Sequence, residues 1–84
     1  MLLVRFEDWD AFIEHLKRRN PSGERYYAAK PNGEDRYNLI VVVQNDHRLI
    51  VYEDDMTKEE ELDKIHNTLD RLDFVYVDDI EIRW

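Results

Sequence analysis

Apolar and polar residues change period several times along this chain, and each change marks an element. Leu2, Val4 and Phe6 alternate with Leu3 and Arg5, the two-residue period of a short strand with both faces partly covered, which stops at Glu7-Asp8. From Trp9 the period becomes helical, because Trp9, Phe12, Ile13 and Leu16 fall at i, i+3, i+4 and i+7 on one stripe. Asp8 stands where a cap is needed, Lys17-Arg18-Arg19 favour the negative end of the helix, and Asn20-Pro21-Ser22-Gly23 ends it.

Three strands are expected next. Residues 25–29 lead into Pro31-Asn32-Gly33, the clearest turn signal in the chain, since Asn-Gly tolerates positive φ at low cost. Residues 37–43 return, and Asn45-Asp46 turns the chain into residues 48–52, which completes an antiparallel meander. Leu39 to Val43 is apolar at five successive positions, so it reads as a central strand covered on both faces.

Thr57-Lys58-Glu59-Glu60 has the spacing of a capping box and predicts a second helix with the stripe Leu62, Ile65, Leu69 and Leu72. Asp73 marks the exit into a last strand region, Phe74 to Trp84. Val75 and Val77 share one face there. Ile80, Ile82 and Trp84 share a face only if the phase slips by one residue, which predicts a bulge or tight turn at Asp78-Asp79. The order βαβββαβ gives an α+β fold, a single mixed sheet of about five strands with two helices packed on one face, because each helix has one apolar stripe to bury.

Eighty-four residues make a single domain, 1–84. A chain this short buries only about 60–65% of its unfolded surface, so a ligand site is expected on an edge rather than in a deep pocket. Charge then singles out one region. Residues 53–81 hold twelve Asp/Glu against Lys58, Lys64 and Arg71, a net of −9, whereas the rest of the chain nets +1. The densest knots are Glu53-Asp54-Asp55, Glu59-Glu60-Glu61 and Asp78-Asp79. With a net charge of −8, phosphate binding by counterion release is disfavoured, which argues against nucleic acid as a partner.

The longest apolar run, residues 39–43, is far too short for a membrane span, and no signal peptide is evident, so a soluble cytoplasmic protein is expected. The absence of cysteine removes disulfides, zinc thiolates and thiol nucleophiles. Catalysis also lacks its parts. Ser22 lies in a turn, Thr57 in a cap and Thr68 on a helix, while His15 falls about 110° off the first helix's apolar face and His47 sits in a turn, both expected to be solvated. His66 borders the second apolar stripe as a packing residue. The reading is of a protein that is not an enzyme.

The acids have structural uses of their own. Glu59, Glu60 and Glu61 suit the first turns of a helix and Asp8 suits a cap. Three adjacent acids at 53–55 exceed what one cap needs. If the strand ending at Tyr52 and the one beginning at Phe74 are parallel neighbours joined by a crossover helix, Glu53, Asp54, Asp55, Asp78 and Asp79 emerge on one edge of the sheet. Glu7-Asp8 joins them if the first strand runs the same way. Carboxylates on loops suit a divalent cation, Ca²⁺ first and Mg²⁺ with more retained water, with Glu53 and Asp54 as leading ligands and Asp78 or Asp79 closing the site. The alternative is an acidic interaction or inhibitor module that docks on a basic protein. The chain is expected to be a monomer or a weak dimer, with a strand edge such as residues 25–29, or Trp84, available for contact.

With Phe6-Glu7-Asp8-Trp9 opening the first helix and Tyr52-Glu53-Asp54-Asp55-Met56-Thr57 opening the second, the chain resembles the small acidic, uncharacterised α+β proteins of methanogenic archaea. The resemblance covers the whole length and rests on size, charge and element order. It implies a thermophilic, cytoplasmic archaeal protein with calcium as a candidate ligand, and transfers no residue roles.

Overall fold

The structure, a computed structural model, describes residues 2–81. The elements are β1 (Leu2–Phe6), α1 (Trp9–Arg19), β2 (Glu24–Pro31), β3 (Arg36–Gln44), β4 (Arg48–Lys58), a 3₁₀ turn (Glu59–Glu61), α2 (Leu62–Arg71) and β5 (Val75–Tyr76). They form an α+β fold with one mixed five-stranded sheet in the order β1-β4-β3-β2-β5. The pairs β4–β3 and β3–β2 are antiparallel, whereas β1–β4 and β2–β5 are parallel. Four strands therefore run one way, and β3 alone runs against them.

β3 is central, as its apolar run requires: Leu39, Val41, Val42 and Val43 are all buried. Strand alternation sends Leu39, Val41 and Val43 to one face, beside Tyr27, Ile50 and Tyr52 of the neighbouring strands. Phe12, Ile13 and Leu16 of α1 and Leu69 of α2 pack against that same face, so both helices lie on one side of the sheet. Each such side chain contributes roughly 1.5–3 kcal/mol by leaving water. Leu69 is the buried anchor of α2. On the other face Ala28, Val42 and Val51 are also buried, flanked by Tyr26, which donates its hydroxyl to Gln44 Oε1 at 2.9 Å, and by the Arg5–Glu53 ion pair at 3.7 Å.

α1 begins where Asp8 Oδ2 accepts the Ala11 N–H at 3.3 Å. It ends at Asn20 in the left-handed region (φ 42°), whose N–H reaches Leu16 O. His15 is not solvated as its helical angle suggests. It is half-buried, with its ring 5.1 Å from that of Phe6, because the β1 side chain reaches past the helix stripe.

Three expectations need correction. β4 does not stop at Tyr52. It continues through the acidic knot to Lys58, and Thr57 is a buried strand residue opposite Tyr37. The capping box is therefore not formed, and neither the 3₁₀ turn nor α2 has a side-chain cap. β5 pairs with β2 and is separated from β4 by β3 and β2, so the parallel adjacency expected of these two strands is absent. The final strand is also short: pairing covers Val75 and Tyr76, Val77 N–H reaches Tyr27 O at 2.9 Å, and Asp78-Asp79 lie beyond it instead of interrupting a longer strand. Ile82 and Trp84 lie outside the described residues.

Candidate functional site

Because β1, β4, β2 and β5 run in one direction, their C-terminal ends share one end of the sheet. Glu7-Asp8 follow β1, which lies beside β4, and Phe6 is in register with Tyr52. Asp78-Asp79 follow β5, three strand spacings away from β4, or about 14 Å. The carboxylates expected to form one group are thus split, with Glu53, Asp54 and Asp55 at one side of this end and Asp78 and Asp79 at the other.

The first three are divided again by the pleat. On a strand, neighbouring side chains point to opposite faces, so sequence adjacency pulls them apart. Glu53 is in register with Ile40 on the helix-free face and pairs with Arg5, whereas Asp54 lies beside Leu39 on the helix side. Asp55 is exposed. The register also slips here, since Asp55 and Met56 together oppose Asn38. Such a bulge frees backbone groups from the ladder, and side chains take them up. Asp54 Oδ1 accepts the Met56 N–H at 2.9 Å, Asp54 Oδ2 accepts the Thr57 hydroxyl at 3.0 Å, and Asn32 Nδ2 donates to Asp55 O at 2.8 Å. Asp79 is held by Lys30 Nζ at 2.6 Å, and that hydrogen bond keeps its carboxyl below the usual range. Among the described residues no group of three or more His, Asp or Glu side chains is arranged to hold a metal ion.

A different set does converge. Glu7, Asp8, Trp9, Tyr52, Asp54, Glu61, Lys64, Ile65 and Thr68 line a cleft of about 480 Å³ between the end of β1, the middle of β4 and the first turns of the two helices. Four carboxylates from three separate stretches of chain face one lysine. The Tyr52 ring forms its inner wall, stacked on Phe12 at 5.5 Å and met edge-on by Trp9 at 5.3 Å. Tyr52 is only 5% exposed, and among the described residues its hydroxyl has no hydrogen-bond partner. Burial, followed by the charges of Asp54, Asp8 and Glu61, pushes its pKa up to about 12. The hydroxyl is therefore a neutral phenol turned toward carboxylates.

Helix dipoles temper this negative field without cancelling it. Each helix N-terminus carries roughly +0.5 charge, so two of them plus Lys64 leave about −2 against four ionised carboxylates. Asp54 alone of the five expected site residues belongs to the cleft. Glu7, Asp8 and Glu61 join it, and of these Glu7-Asp8 could be read from the sequence, once β1 was given the direction of β4. Glu61 could not, because it reads as helix-start chemistry. Tyr52 carried no signal in the sequence beyond its place in a strand.

No helix of the described residues is long and apolar enough to cross a membrane. Comparison with family models, with curated proteins and with solved structures finds no match to the chain.

Proposed function

We propose that this protein is a non-enzymatic acidic interaction module that docks a basic protein partner at the cleft between the two helix starts. The observation that supports this reading is the cleft itself, with Glu7, Asp8, Asp54 and Glu61 around a single cation, Lys64. Charge of one sign focused in a concave site steers an opposite partner and raises its association rate, and that attraction falls with ionic strength. Calcium or magnesium, expected from the sequence at Glu53, Asp54, Asp55, Asp78 and Asp79, has less support, because β3 and β2 stand between the two halves of that set.

Affinity capture from cell extract tests the reading when run beside a Glu7→Gln/Glu61→Gln variant. A basic protein is expected to be retained by the natural chain, lost on raising salt from about 0.05 to 0.5 M, where the screening length shrinks several-fold, lost in the variant, and indifferent to chelator. Capture that survives both high salt and the neutralised cleft retires the proposal. Capture abolished by chelator returns the search to a divalent cation.

A further inference from the structure

The general attraction of an acidic cleft leaves open which chemical group enters it, and the cleft wall restricts that choice. The Tyr52 hydroxyl is the informative atom. It belongs to a side chain that is 95% buried by its 5% exposure, it lacks a hydrogen-bond partner among the described residues, and it faces Asp54, Asp8 and Glu61. The ring is buried while its hydroxyl opens to the cleft without a protein partner, so it marks a place for a ligand atom. A phenol both donates and accepts. As a neutral phenol without a protein partner, it keeps its oxygen lone pairs for a ligand donor.

We infer that the group accommodated by this cleft is a primary alkylammonium, supplied by a lysine side chain of the basic partner; the inference rests on the docking reading above. Three features favour ammonium over guanidinium. Acceptors arrive from separate elements: Glu7-Asp8 between β1 and α1, Tyr52 and Asp54 on β4, and Glu61 at the start of α2. Three tetrahedral N–H donors on a compact charge can address acceptors from different directions, whereas the planar fork of arginine is matched to one carboxylate face. The walls include Trp9 and Tyr52, whose rings attract a cation when water is excluded. Ile65 and the methyl of Thr68 offer apolar surface for a four-carbon stem, as snorkelling lysines require. The residual charge of about −2 derived from the helix ends suits one cation of this size better than a cluster of them.

The test is a ¹⁵N–¹H correlation titration at about 0.15 M salt, where diffuse attraction is screened. The probes are an uncharged-flank peptide with one central lysine, its arginine counterpart, spermidine and CaCl₂. The lysine peptide is expected to give saturable shifts confined to residues 7–9, 52–54 and 61–68. Its affinity should be at least fivefold above that of the arginine peptide and of spermidine. Glu61→Gln should weaken it about tenfold, and Tyr52→Phe about fivefold. Glu61 is exposed and its side chain makes no capping bond at the start of α2, so Glu61→Gln keeps its fold and its result stands even if Tyr52→Phe perturbs packing. Glu60→Gln, outside the cleft, should change nothing.

Equal or tighter arginine-peptide binding overturns the choice of ammonium, and tighter spermidine binding overturns the protein source. Saturation by CaCl₂ at the same residues, with loss of peptide binding, overturns both. Absence of saturable shifts with every probe overturns the inference. A basic protein still captured in a salt-sensitive way would then leave the docking reading standing by itself.

Discussion

The Tyr27 hydroxyl lies 2.6 Å from Nδ1 of His66 and so ties the middle of β2 to the flank of α2. Burial first, then Asp70 and Tyr76, raise the pKa of Tyr27, so the phenol keeps its proton at neutral pH. Tyr76 closes the group, with its ring 5.4 Å from that of Tyr27 and 5.8 Å from that of His66. β2 thus meets two elements that follow it much later in the sequence, α2 and β5, through three rings.

Tyr27→Phe removes this hydrogen bond while keeping the ring contacts. The expected cost is about 1 kcal/mol, the net worth of one such bond. For a domain of this size that lowers Tm by about 4–8 °C, measurable by calorimetry. No change would mean that water replaces the hydroxyl without penalty.

Alkaline titration isolates Tyr52. Its folded pKa of about 12 lies above the ordinary tyrosine value of about 10, so the folded state holds the proton more tightly than the unfolded chain. The stabilisation is present in full below pH 10 and is lost as pH rises through the folded value. Tyrosinate absorbance should therefore show a late step near pH 12 that Tyr52→Phe removes. Denaturant midpoints of the natural chain should fall more steeply above pH 10 than those of the variant. The raised values of Tyr26 and Tyr27 act in the same direction and remain in both.

Asp54 and Asp55 are adjacent acids with different duties. Asp54→Ala strips partners from the Met56 N–H and from the hydroxyl of Thr57, a residue only 1% exposed, and should cost about 2–3 kcal/mol in urea unfolding. Asp55→Ala removes an exposed carboxylate whose backbone carbonyl keeps its bond from Asn32, and should stay within about 0.5 kcal/mol. Similar losses in the two variants would contradict the bulge geometry.

The two glycines separate crowding from backbone conformation. Gly23 has φ 127°, and a Cβ there would stand 2.3 Å from the Gln44 carbonyl oxygen, so Gly23→Ala should cost well over about 1 kcal/mol. Gly33, at φ 82°, has nothing within 4 Å of an added Cβ, and Gly33→Ala should cost only about 1 kcal/mol from the left-handed backbone. Thermal melts of the pair check the ranking.

The element order and the buried stripes were legible because each depends on local period: Phe12, Ile13 and Leu16 mark α1, and residues 39–43 mark the centre of the sheet. Strand adjacency was not. Both β1 and β5 are short strands entered or left through a helix, and either could sit beside β4 without any change in its own pattern. The error at residues 53–60 has another cause. Thr57 and Glu60 have capping-box spacing, but Asp54 engages the Thr57 hydroxyl and β3 pairs with its backbone, so long-range pairing overrides the local signal. Once residues 53–55 belong to a strand, their side chains must diverge, and the site shifts to whatever else reaches the middle of β4 beside the end of β1.

The strand order also has a bearing on how the chain is made. β1 emerges from the ribosome before its partner, since within the described residues it pairs with β4 alone, whose matching residues 48–52 are synthesised more than forty positions later. The hairpins β2–β3 and β3–β4 can close as they appear, since their partners are near in sequence. The backbone of residues 2–6 must therefore wait unpaired until β4 is made. The unpaired β1 segment is thus open to chaperones during synthesis, and slowed elongation before residue 52 should lengthen that exposure.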